Sequence, residues 1–149
     1  MAIMGHRVLF SCAFLACLAP AWAHATPTLE AVRQVGTAYH WGGRSPDTGF
    51  DCSGLVAHVF ERAWGLELPH NARAQSKAGK PVRFADLRPG DLVFYNTRNR
   101  PYSHVGIYLG EGRFVHAPRR GARVRIESVS TRYWRSRFNG ARRLEPPGV

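Results

Sequence analysis

The stretch Gly49-Phe50-Asp51-Cys52-Ser53-Gly54-Leu55-Val56-Ala57-His58-Val59-Phe60-Glu61-Arg62-Ala63-Trp64-Gly65 decides how the rest of the chain is read. Leu55, Val56, Val59, Phe60, Ala63 and Trp64 recur at the helical period and predict a helix from Cys52 to Trp64, buried along one face. Asp51 suits the N-cap and Gly65 the stop. His58, Glu61 and Arg62 are expected on the outer face. Cys52 then falls in the first turn, where unpaired backbone N–H groups and the helix dipole favour negative charge. Such a site is expected to depress a thiol pKa well below about 8.5, to about 5–7 if an imidazole lies beside it. It also offers N–H donors to a developing oxyanion.

Upstream, Thr28 to Ala38 predicts a first helix whose face is Leu29, Val32, Val35 and Gly36, capped by Thr26 or Thr28. Gly42-Gly43 and Ser45-Pro46-Asp47-Thr48-Gly49 form a turn-rich loop. Downstream, residues 68–84 are polar and irregular, with a short helix near Asn71 to Lys77. Beyond Pro89-Gly90 the pattern turns to strands: Asp91 to Tyr95, His104 to Leu109 and Arg113 to Ala117. Shorter ones follow at Val124 to Ile126 and near Phe138 to Leu144. Helices followed by an antiparallel sheet of about five strands make an α+β layout.

The chain has 149 residues, enough for one domain with one core. Its start has the form of a secretory signal: His6-Arg7, an apolar run from Val8 to Leu18, Pro20, then small residues at Ala21, Ala23 and Ala25. The run is too short to span a bilayer about 30 Å thick. Cleavage after Ala23 or Ala25 would leave a domain over residues 26–149, periplasmic or secreted, with no membrane anchor after processing. Of three cysteines, Cys12 and Cys17 would leave with the signal and Cys52 would remain alone. An unpaired thiol in an oxidising compartment is either an inert buried group or one with a use. The 21 Lys and Arg against 10 Asp and Glu give a formal charge of +11, which favours anionic partners: nucleic acid, acidic lipid or a cell-wall polymer. No nucleic-acid motif accompanies the charge, so no nucleic-acid partner is expected.

Seven histidines are present. His6 belongs to the signal and His24 lies at the cleavage point. His58 and His70 are expected at the surface, and His40 is undecided. His104 and His116 lie on adjacent strands. If Gly110-Glu111-Gly112 forms a three-residue loop, Leu109 faces Arg113, Ile107 faces Val115 and Val105 faces Ala117. Alternation then puts His104, Gly106, Tyr108, Phe114 and His116 on the opposite face, with the two histidines in reach of each other. A thiol and two imidazoles suit nucleophilic catalysis with an oriented base. The same residues could instead be structural, or could be zinc ligands, although their spacing fits no short zinc motif.

Five blocks of this sequence carry a resemblance. They are Tyr39-His40-Trp41-Gly42-Gly43 with Gly49 to Leu55, Leu87 to Phe94, Ser103 to Gly110, Phe114 to Pro118, and Phe138 to Arg143. Together they resemble the NlpC-type cell-wall cysteine peptidases over about residues 28–144. The resemblance implies a compact, permuted papain-like fold and hydrolysis of peptidoglycan stem peptides, commonly between γ-linked D-glutamate and a diamino acid. It implies Cys52 as nucleophile, His104 as base and His116 as its orienter. It implies Tyr39 near the oxyanion, and Asp51 and Ser53 at a substrate subsite. Peptidoglycan peptide is then the expected partner of a monomeric protein, with neither metal nor cofactor. An amidase, transpeptidase or acyltransferase using the same thiol is the alternative, followed by an inactive wall-binding module.

Overall fold

The computed structural model describes residues 25 to 148, so the predicted signal segment lies outside the described residues, save for Ala25 at its end. In chain order the elements are α1 (Pro27–Arg33), β1 (Arg44–Ser45), β2 (Gly49–Phe50), α2 (Cys52–Trp64), α3 (Ala72–Gln75) and β3 (Lys80–Val82). A short 3-10 turn (Phe84–Asp86) leads on to β4 (Leu92–Tyr95), β5 (His104–Gly110), β6 (Arg113–His116), β7 (Arg125–Ser128), α4 (Arg132–Arg137) and β8 (Phe138–Arg143). β1 and β2 form a small ribbon, and the other strands form one sheet in the order β3-β8-β4-β5-β6-β7, antiparallel throughout.

The α+β layout is as expected, but the main sheet has six strands rather than about five. The added strand, β3, is short and carries Pro81, so it shows no alternation; it survives as an edge paired only with β8. α4 was not anticipated either. It is six residues of mostly polar sequence, held to the sheet by Trp134.

α2 runs as predicted. The Asp51 carboxylate accepts from the Gly54 N–H at 2.7 Å, and Gly65 closes the helix in the left-handed conformation at φ 64°. Leu55, Val56, Val59 and Phe60 are fully buried. Each such side chain contributes about 1.5–3 kcal/mol of transfer free energy. Their cluster fills the space between α1, α2 and one sheet face, with Val105, Ile107, Val115 and Ala117 opposite. A second cluster of Val93, Tyr95, Phe114, Val129, Trp134 and Ala141 packs on the other face.

Two expectations fail in this layer. α1 ends at Arg33 and presents Pro27, Glu30 and Ala31 to the core, leaving Leu29, Val32 and Val35 exposed. Small Ala31 permits close approach to α2, and Glu30 is satisfied in place by Gln34 at 3.1 Å and Arg33 at 3.3 Å. His58, expected outside, is half-buried, tilted against Phe50 and 3.9 Å from the Glu30 carboxylate.

The β5–β6 turn also differs in detail. Its loop is Glu111-Gly112, both at positive φ, rather than three residues. A register shift between Tyr108 and Gly110 absorbs the missing residue, so Ile107 still faces Val115. The bulge therefore preserves the facing of the site residues that a plain two-residue loop would have reversed.

Candidate active site

The start of α2, the start of β5 and the end of β6 meet at one place. Cys52 is the first residue of α2. The backbone N–H groups of Ser53 and Val105 face its sulfur and favour the thiolate. Val105 follows His104, so the sulfur lies against the mouth of β5. His104 and His116 are 4% and 0% exposed, and His104 Nε2 lies 2.8 Å from His116 Nδ1.

The line continues past the two histidines. His116 Nε2 lies 2.5 Å from Glu127 Oε2 on β7. Glu127 also accepts from Arg125 Nε at 2.9 Å and Trp134 Nε1 at 3.2 Å. Trp134 stacks on His104 and meets His116 edge-on, while Phe114 stacks on His116 from the other side. Gly106 makes room for this: a Cβ there would stand 2.7 Å from the Phe114 ring and 3.2 Å from His116 Cβ.

Glu127 sets the tautomers. Its carboxyl is held down at about 2, chiefly by the hydrogen bond from His116 and further by Arg125 and Trp134, against the opposing cost of burial. An ionised carboxylate only accepts, so His116 donates through Nε2 and accepts at Nδ1. His104 must then donate through Nε2, which leaves its Nδ1 as a lone pair able to take a proton. Three of the four ring nitrogens are thus spent on each other and on Glu127, an arrangement that suits a relay rather than two ligands on one metal.

The surroundings of Cys52 work against the expected depressed thiol. Burial, and then the Asp51 charge, push Cys52 up to about 11, and the two backbone donors and Arg98 offset this only in part. His104 is pushed well below its usual range by burial, then by His116 and Arg98. His116 is lowered mainly by burial. Both shifts favour a neutral thiol and a neutral imidazole at rest. Tyr39 is raised by burial and then by the charges of Cys52 and Asp51, so its hydroxyl stays protonated beside the thiol.

The remaining sequence candidates surround this centre. Asp51 caps α2, accepts from Gly42 N–H at 3.1 Å and lies 2.7 Å from His70 Nε2. His70, expected at the surface, thus pins the N-cap of α2. Ser53 is buried, its hydroxyl turned to Asp51 at 3.4 Å and its carbonyl accepting from Gln75. His40 is exposed. Glu127, Trp134 and His70 were missed by sequence reasoning. For Glu127 a signal existed: extending the Val124 to Ile126 strand by one residue puts it opposite Phe114, on the His116 face.

The model of the NlpC/P60 family matches residues 36–143, across all of the elements just described except α1. The chain belongs to the NlpC/P60 family. Among its relatives are the murein DD-endopeptidase MepH of Escherichia coli, 40% identical over 78% of this chain and 44% of its own length, and the gamma-DL-glutamyl hydrolase of Bacillus subtilis, 42% identical over 85% and 30%. This chain thus spans less than half the length of either. An NlpC/P60 family protein from Bacillus cereus superposes with a TM-score of 0.72 at 32% identity, covering 78% of this chain and 38% of the other. The NlpC/p60 domain of the peptidoglycan hydrolase SagA does so at 0.69 and 34%, covering 79% and 96%.

Proposed function

We propose that the chain is an exported cysteine endopeptidase that cleaves peptidoglycan stem peptides, with Cys52 as nucleophile, His104 as base and His116 as its orienter. The observation that carries this reading is the unbroken line His104–His116–Glu127, which leaves one imidazole lone pair free at the start of β5, where the neighbouring Val105 N–H faces the Cys52 sulfur. Because thiol and imidazole both rest neutral, the proton leaves sulfur for His104 as sulfur attacks the scissile carbonyl. The imidazolium is stabilised through His116 by the Glu127 charge. The α2 N-terminus and the protonated Tyr39 hydroxyl receive the oxyanion. His104 then gives its proton to the leaving amine, and water releases the acyl group from sulfur. Asp51, 17% exposed at its side chain, would meet a free amine of the substrate, with the Ser53 hydroxyl 3.4 Å from its carboxylate. The product would act in the periplasm or medium as a monomer. Among the described residues no helix is long and apolar enough to cross a membrane.

The bond favoured is that between γ-linked D-glutamate and the diamino acid, as the family resemblance implies; the name of the Bacillus subtilis relative specifies a gamma-glutamyl bond, and that of the Escherichia coli relative favours the DD cross-link instead. Mass spectrometry of fragments released from purified peptidoglycan decides. Fragments ending in free D-glutamate, absent with Cys52→Ala, are expected. Uncrosslinked but otherwise intact stems would establish the DD bond, transferred acyl groups would establish the transferase alternative, and no release at all would overturn the reading.

A further inference from the structure

Beside Tyr39 lies an open cavity of about 500 Å³ lined by Tyr39, Trp41, Arg98, Arg119 and Arg120. Trp41 is 56% exposed, with the Arg98 guanidinium 4.9 Å and that of Arg120 6.0 Å from its ring centroid. None of the three arginines has a carboxylate within ion-pair distance among the described residues, whereas Arg125 and Arg143 do. Three like charges converging on one concave surface repel one another, and an anion there relieves the repulsion.

The two loops that carry them are built rather than loose. Loop 96–103 is tied down by Asn96 N–H to Arg137 O at 2.9 Å, Thr97 N–H to Ser103 Oγ at 2.9 Å and Tyr102 N–H to Asn139 Oδ1 at 2.7 Å. It holds Asn99 and Tyr102 at positive φ, which a non-glycine residue keeps only where its surroundings fix it. The Arg119–Ala122 turn is closed by its own hydrogen bond, and Ala122 O accepts from Tyr39 N–H at 3.0 Å. The charge of Arg98 is felt at Cys52, His104 and Tyr39, so the cluster borders the reacting centre.

We infer that Arg98, Arg119 and Arg120, with Trp41 as their platform, form a carboxylate subsite that holds a free carboxylate of the stem peptide close to the scissile bond. The inference rests on the peptidoglycan reading above and deepens it. A γ-linked glutamate leaves its α-carboxylate free a few bonds from the scissile carbonyl, and the diamino acid can offer a second on the other side. Guanidinium forks suit such planar anions.

Calorimetry on Cys52→Ala protein, which binds without turnover, tests this. The probes are a stem tripeptide containing γ-D-glutamyl-diamino acid, the same peptide with the glutamyl α-carboxyl as carboxamide, and the same peptide with the diamino-acid carboxyl as carboxamide. One of the two amides is expected to bind about ten-fold more weakly than the free acid, which identifies the carboxylate held. Adding Arg98→Gln or Arg120→Gln is expected to bring that ratio close to one. Equal affinity for all three peptides, or a ratio that survives both substitutions, overturns the subsite and leaves the peptidase reading standing. Failure of every peptide to bind would overturn the substrate assignment and the subsite with it.

Discussion

Cys52 and Glu127 are two acids near the two ends of the His104–His116 pair, and their surroundings drive them apart. Burial raises Cys52 to about 11, while Glu127 is held at about 2. The difference lies in what each one faces. Cys52 has two backbone donors but sits beside the Asp51 carboxylate. Glu127 has the His116, Arg125 and Trp134 donors and no carboxylate in its hydrogen bonds. A helix N-terminus is therefore not enough to favour a thiolate when the thiol is partly buried and a carboxylate caps the same helix. The resting negative charge lies at Glu127, away from the sulfur, and in the proposed mechanism the sulfur gains a charge of its own only by losing its proton to His104.

Removing either end should break this comparison to different extents. The largest effect is expected at the reacting groups: Cys52→Ser and His104→Ala should each cost on the order of 10³-fold or more in fragment release from peptidoglycan, with the fold retained. Glu127→Ala should cost about 10²-fold in kcat with little change in KM, because it frees His116 to adopt the wrong tautomer. Glu127→Gln, which keeps an acceptor but not the charge, should fall between wild type and Glu127→Ala; a purely packing role for Glu127 would make the two variants alike. His116→Asn should be milder still, since an amide oxygen can accept from His104 Nε2.

The smallest effect is on stability. Glu127 is depressed from 4.5 to about 2 on folding, so its contribution is fully present above pH 4.5 and is lost as pH falls through about 2. Acid titration of unfolding should show a loss between those limits that is absent in Glu127→Gln. The same loss in both proteins would place the coupling elsewhere.

How much of this was legible in the sequence follows the strength of local signals. α2 has a clean apolar period, an Asp cap and a Gly stop, and its prediction matches to the residue. The His104–His116 contact was readable from alternation, and the bulge at Leu109 repaired the one error in the loop. α1 was misread because its apolar residues face outward while Glu30 and Gln34 are buried in pairs, a choice fixed by the shape of α2. β3 and α4 have no period of their own and exist through their partners. The direction of the Cys52 shift could not be read at all, because it depends on burial depth, which only the assembled fold determines.

The central claim is that Cys52 is the nucleophile and rests as a neutral thiol that loses its proton to His104 during attack. Iodoacetamide labelling of the folded protein across pH 5–11, with Cys52 occupancy and peptidoglycan cleavage followed together, tests it most directly. The account predicts one label at Cys52, activity lost in step with it, and a rate that climbs with pH above about 8 toward the raised thiol value. A rate that holds a plateau below pH 7 would contradict the neutral pair, and full activity in completely labelled protein would contradict the role of Cys52.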